Sequence, residues 1–142
     1  MAIITNPGFE DGDFTGWTTE EAGVGSSVTV EAAAKKSGTY GARTLLECED
    51  TSGNDGIIMQ NIGVINSGDY IKLSYKVNDS DFAEGFGGYI WCYLEDSVDP
   101  ENMQELFYAS EPVAGDWIDI DEEITMDSSS CELWLIAVTW LL

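Results

Sequence analysis

The run Tyr70-Ile71-Lys72-Leu73-Ser74-Tyr75-Lys76-Val77 decides the fold class. Successive side chains of a strand point to opposite faces, so Ile71, Leu73, Tyr75 and Val77 fall on one side and Lys72, Ser74 and Lys76 on the other. This is a half-buried β-strand. The same period of two returns at 117–124, where Ile118, Ile120 and Ile124 face inward and Asp119, Asp121 and Glu123 outward, after the turn residues Gly115-Asp116. Other runs bounded by Gly, Ser, Asn and Asp predict strands at 2–5, 27–31, 42–48, 56–62, 87–95, 105–110 and 131–140. The helix-forming stretch 31–36 is too short for an independent helix and makes at most one turn. Nine strands predict an all-β, two-sheet antiparallel β-sandwich.

The chain has 142 residues, and with no linker, internal repeat or low-complexity tract beyond Ser128-Ser129-Ser130, read as a turn, residues 1–142 are expected to form a single domain. Apolar residues make up 44% of the chain, which suffices for a core. Five Lys and Arg stand against 27 Asp and Glu, a net charge of −22, and histidine is absent. That balance disfavours nucleic acid, whose binding relies on Lys and Arg at phosphates, and anionic membrane surfaces. Without histidine there is no Ser-His-Asp or Cys-His nucleophile and no His-ligated zinc. No run reaches the roughly 18 apolar residues of a membrane span. The N-terminus has no signal-peptide pattern, so the chain is expected either to be made inside the cell or to come from a larger precursor.

Cys48, Cys92 and Cys131 form no CxxC pair and each lies in a strand-like run. Buried free thiols are expected, with a Cys48–Cys92 or Cys92–Cys131 bridge as the alternative.

Asn6-Pro7-Gly8-Phe9-Glu10, Gly16-Trp17, Ser37-Gly38-Thr39-Tyr40, Gly68-Asp69-Tyr70 through Tyr75, and Gly115-Asp116-Trp117 occur in an order that spans nearly the whole chain. This order resembles the carbohydrate-binding modules of the group containing families 4, 9, 16 and 22. The resemblance implies a jelly-roll sandwich that is non-catalytic and usually appended to polysaccharide-degrading enzymes. Physically, Asn-Pro-Gly reads as a tight turn, with Pro fixing φ and Gly supplying positive φ, that sends Phe9 into the core. Trp17 and Trp117 read as plugs at the ends of the sandwich. The resemblance also implies a structural calcium at the early Glu, here Glu10 with Asp13 nearby. The family's partner Asp on the last strand is missing, and a solvated acidic turn is the competing reading.

The strongest binding candidate is 87–95, where Tyr89, Trp91 and Tyr93 alternate with Ile90, Cys92 and Leu94. If the aliphatic side packs inward, the three rings form a ladder about 14 Å long at about 3.4 Å per residue, a floor for stacking sugar rings. Gln60, Asn61, Glu95, Asp119 and Asp121 are candidate polar neighbours for hydroxyl groups. The alternatives are that the three rings are core, or that they pack against a partner protein. Residues 131–140 are apolar on both faces, and Trp134, Trp140 and the terminal Leu142 are candidates for docking onto a partner.

No enzyme is expected, since exposed carboxylates alone do not make a glycosidase cleft. The leading expectation is a glycan- or polysaccharide-binding module displayed on a larger assembly. The rival is a virion structural protein, a capsid decoration or tail-associated component, that uses the same sandwich for protein docking. The first implies an extracellular location if the chain is excised from a secreted enzyme, and the second implies the virion surface.

Overall fold

A computed structural model describes residues 4–47, 53–78 and 86–141, with the backbone alone at Phe86, Trp140 and Leu141. Among the described residues nine strands form: β1 (Thr18–Ala22), β2 (Ser27–Glu31), β3 (Gly41–Leu45), β4 (Asn54–Ile65), β5 (Tyr70–Tyr75), β6 (Phe86–Asp96), β7 (Met103–Ser110), β8 (Ile118–Glu123) and β9 (Ser128–Leu141). One layer is a five-stranded antiparallel sheet in the order β1-β4-β9-β6-β7. Facing it are two two-stranded ribbons, β2-β3 and β5-β8. The result is the expected all-β antiparallel sandwich of the jelly-roll kind. Residues 31–36 contribute a single 3-10 turn at Ala32–Ala34.

The core lies between the layers. Cys92, Leu94, Cys131 and Leu133 of the large sheet are fully buried against Ile71, Ile124 and Met126 of the opposite layer. At the other end, a Cβ on Gly56 of β4 would run into Thr44 and Val28, which shows how closely the β2-β3 ribbon lies on the sheet. Trp17 packs against the core as expected, and its indole N–H donates to the Asn6 carbonyl at 3.1 Å.

Several expectations are corrected. Residues 1–3 lie outside the described residues, and Ile4 and Thr5 are not in a strand. Thr18–Ala22 takes the ninth place instead, as an edge strand with Thr18, Glu20 and Ala22 outward. The Ser128-Ser129-Ser130 run begins β9 rather than forming a turn. In the 6–9 turn, closed by Phe9 N–H to the Asn6 carbonyl at 3.1 Å, positive φ falls on Asn6 and Phe9, not on Gly8. Cys92 and Cys131 are free and buried. Cys131 pairs with Asp96, four residues along β6 from Cys92, so the two lie about 13 Å apart, beyond the ~7 Å Cα limit of a disulfide. Cys48 lies outside the described residues.

Candidate functional site

Antiparallel registry converts the alternation of each strand into rows across the sheet. On the face away from the core, one row runs Ala22, Asp55, Val138, Tyr89, Ser110. The next runs Glu20, Ile57, Ile136, Trp91, Tyr108. A third runs Thr18, Met59, Trp134, Tyr93, Glu105, and a fourth runs Asn61, Glu132, Glu95, Met103. Because Cys92 and Leu94 are wholly buried, the aliphatic side of β6 faces the core and the aromatic side faces away from it. The three rings expected to form a ladder therefore share the outer face, which excludes the reading in which they fill the core between the sheets.

The surface is larger than β6 alone. Tyr93 stacks on Trp134 with ring centroids 5.9 Å apart and planes 7° from parallel, and Trp91 leans on Tyr93 at 4.4 Å. Tyr89 meets Tyr108 at 5.5 Å. Such pairs hold each ring in place; Tyr93, between Trp91 and Trp134, is only 8% exposed and supports its neighbours, while Tyr108 is 51% exposed. The Trp91 indole N–H donates to Glu105 Oε2 at 2.9 Å, which orients the ring. Trp134 Nε1 is buried, with no acceptor among the described residues. Burial, with Glu95 and Glu132 adding to it, pushes the Tyr93 phenol up to about 12. Burial also raises Tyr89, with Tyr108 and Asp55 contributing. Both therefore remain neutral hydroxyl groups at any physiological pH.

Tyr108, Trp134 and Glu105 join this face from outside the predicted ladder. Trp134 was expected as a docking residue and belongs to the same surface as Tyr93. The side chain of Trp140, and Leu142 altogether, lie outside the described residues. A bulge explains Tyr108 and Glu105. Between Cys92 and Tyr93 the register of β6 on β7 slips, so Glu105 and Tyr108, an odd number of residues apart, share a face.

Three predicted polar neighbours do not join it. Gln60 is 3% exposed and points to the opposite side of the sheet. Its Oε1 accepts from Thr5 N–H at 2.7 Å, and its Nε2 donates to the Thr5 and Gly16 carbonyls at 3.0 and 2.8 Å. It is a staple for the N-terminal loop. Asp119 and Asp121 lie on β8 in the other layer, where Asp119 binds Lys36 and Ser74 and Asp121 binds Lys72 at 2.8 Å. Of the expected polar neighbours, Glu95 and Asn61 are the ones on the aromatic face.

Glu10 and Asp13 also have local partners. The Glu10 carboxylate accepts from Thr39 N–H at 3.0 and 2.9 Å and from Tyr40 N–H at 3.4 Å, and these bonds, the Thr39 amide foremost, hold it below its ordinary value. A Cβ on Gly38 would collide with that carboxylate, so the glycine makes room for it. Asp13 Oδ1 accepts from Thr15 N–H at 2.8 Å. Among the described residues no group of three or more Asp, Glu or Cys side chains converges on one point. As placed, Glu10 and Asp13 staple loops.

No protein-family model and no curated protein matches the sequence. Solved structures do match the fold. The carbohydrate-binding module TmCBM61, in complex with β-1,4-galactotriose, aligns with a TM-score of 0.63 at 15% identity over 99% of this chain and 94% of that one. The enzymatically active domain of bacteriophage CBA120 tailspike protein 4 aligns at 0.59 and 11% identity; this chain is covered to 99% and spans 21% of that protein. The CBM22-1 and GH10 modules of Clostridium thermocellum xylanase 10B, complexed with xylohexaose, align at 0.50 and 18% identity, over 95% of this chain and 26% of that one. At these identities the likeness is one of fold: a jelly-roll sandwich like that of carbohydrate-binding modules.

Proposed function

We propose that this chain is a non-catalytic glycan-binding module whose ligand lies across the aromatic face of the five-stranded sheet, on Tyr89, Trp91, Tyr93, Tyr108 and Trp134. The observation that carries the reading is the ring cluster itself. Five rings from three adjacent strands stand on the sheet face opposite the core, with Glu95, Glu105, Glu132 and Asn61 beside them to meet hydroxyl groups. Sugar rings stack their C–H faces on such surfaces, and a few fixed polar groups set orientation. A module of this fold bound to a galactotriose and another carried by a xylanase lend support.

The strands of this sheet contain Glu20, Glu21, Asp55, Glu95, Asp96, Glu105 and Glu132 and neither Lys nor Arg. The glycan we infer is accordingly neutral or amino-bearing, since an acidic sugar would meet like charge. The likeness to a tailspike domain favours a second reading, a tail-associated virion component that uses the same face to hold another protein. Binding of neutral, amino and acidic oligosaccharides, screened on an array and measured by calorimetry, separates the two. Trp91→Ala should weaken glycan binding about 30-fold, the ~2 kcal/mol typical of a buried aromatic anchor. If no sugar binds and Trp91→Ala leaves every partner interaction intact, the aromatic face is not the site.

A further inference from the structure

The layer opposite the aromatic sheet is discontinuous. Among the described residues β3 pairs only with β2, and β5 only with β8. Along the seam between them runs a cavity of about 940 Å³. One wall follows residues 41–47, all of β3 and its continuation, and the other follows 72–78, most of β5 and its continuation. No residue of β2 or β8 lines it, so the edges of β3 and β5 face one another across the gap. Among the described residues neither edge has a partner strand. On the large sheet Ile58, Ile90, Leu135 and Ala137 form an apolar floor, and Tyr89 and Trp91 of β6 also border the cavity. Two open edges over such a floor are a template for an added strand.

Charge says what kind of strand. Lys35, Lys36, Arg43, Lys72 and Lys76 are every cation in a chain of net charge −22, and all five line this one cavity. Glu47 is the one acid that lines it among the described residues. Lys36, Arg43 and Lys72 hold Asp119, Glu31 and Asp121 in exposed pairs, which exchange partners at little cost. We infer that the seam receives an extended acidic strand from a partner polypeptide, which pairs with β3 and β5 at once and joins the two ribbons into one sheet. Alternate apolar side chains of that strand face the floor, and the acidic ones between them face the lysines. The chain contains a pattern for this on the other edge of β5, where β8 sets Asp121 opposite Lys72 and Asp119 opposite Ser74.

A capped peptide copying residues 117–124, Trp-Ile-Asp-Ile-Asp-Glu-Glu-Ile, is the probe, titrated into the whole protein by calorimetry and followed by amide hydrogen exchange. Binding should slow exchange at 41–45 and 70–75. N-methylation at alternate residues of the peptide should weaken it at least tenfold, as should replacing its acids by lysine. The exposed pair K72E/K76E should also weaken it. Absence of binding overturns the inference. So does binding that is indifferent to N-methylation, or an oligogalacturonate that competes equally well, which would make the seam an anion site for saccharides.

Discussion

Replacing Gln60 by Glu exchanges one NH2 for an oxygen in a side chain that is 3% exposed. The Thr5 N–H still finds an acceptor. The two carbonyls that received the amide, Thr5 O at 3.0 Å and Gly16 O at 2.8 Å, now face a carboxylate oxygen. Two hydrogen bonds of about 1 kcal/mol each are lost, and a buried charge without a cation adds more, for a total of about 4 kcal/mol. With an unfolding entropy of about 2.1 cal/mol/K per residue, a chain of this length loses roughly 13 °C in Tm. The pH dependence is the more discriminating readout. Burial beside two carbonyl oxygens raises the folded-state pKa of the new carboxyl above its unfolded value, so the folded state binds the extra proton and the penalty shrinks as pH falls. Differential scanning fluorimetry of wild type and Gln60→Glu between pH 7 and pH 5 should show the gap closing on acidification. Glycan affinity of the variant that remains folded should match wild type, because residue 60 faces away from the rings. A variant with unchanged Tm and lost glycan binding would refute the staple and return Gln60 to the binding site.

Other outcomes follow from the same structure. Glu10, held low by the Thr39 amide, and Asp96, held low by the Ser128 hydroxyl and the Val98 and Asp99 amides, have folded-state values below the ordinary 4.5 and 3.8. Their stabilisation is present above those ordinary values and lost as pH falls through the depressed ones, so Tm should drop below about pH 4.5, and less steeply in Glu10→Gln. Burial raises both core thiols, Cys131 to about 11. Neither Cys92 nor Cys131 should react with a disulfide reagent at pH 8 until the protein unfolds, as peptide mass spectrometry will report. Added sodium chloride should raise Tm by screening the net charge of −22, and calcium should do no more than magnesium at equal concentration. A calcium-specific rise that Glu10→Gln abolishes would put a cation at Glu10 and Asp13.

The parts of this fold that were legible in the sequence are the strands with one wet and one dry face. Residues 70–77 alternate cleanly, one face wet and one dry; in 118–124 Ile120 and Ile124 are buried as expected, but Ile118, at the start of β8, is 48% exposed and does not face inward. Thr18–Ala22 escaped because an edge strand of Thr, Glu and Ala has no apolar period, and only its pairing with β4 makes it a strand. On the aromatic face, the β6 ladder was readable from alternation alone, whereas Tyr108 and Glu105 depended on a bulge that alternation cannot anticipate. Gln60 carried a signal that went unused. It sits two residues from both Ile58 and Ile62, which places it on the core side of β4. Asp119 and Asp121 carried none, because which layer a strand joins is set by long-range pairing, here of β8 with β5.

The charge of the molecule is divided between its layers, and that division ties the two proposed sites to different physics. The large sheet has seven acids and no cation on its strands, while all five cations border the seam of the other layer. A neutral sugar on the rings gains from stacking and hydrogen bonds, terms that salt barely alters. An acidic strand in the seam gains from five nearby cations, an attraction that weakens once the Debye length shrinks to about 10 Å at 0.1 M salt. Raising sodium chloride from 20 to about 500 mM should therefore leave glycan affinity within a factor of two and weaken the acidic peptide tenfold or more, reading both sites on one sample. Equal salt sensitivity of the two ligands would mean that a single surface serves both, and the assignment of separate sites to the two layers would fail.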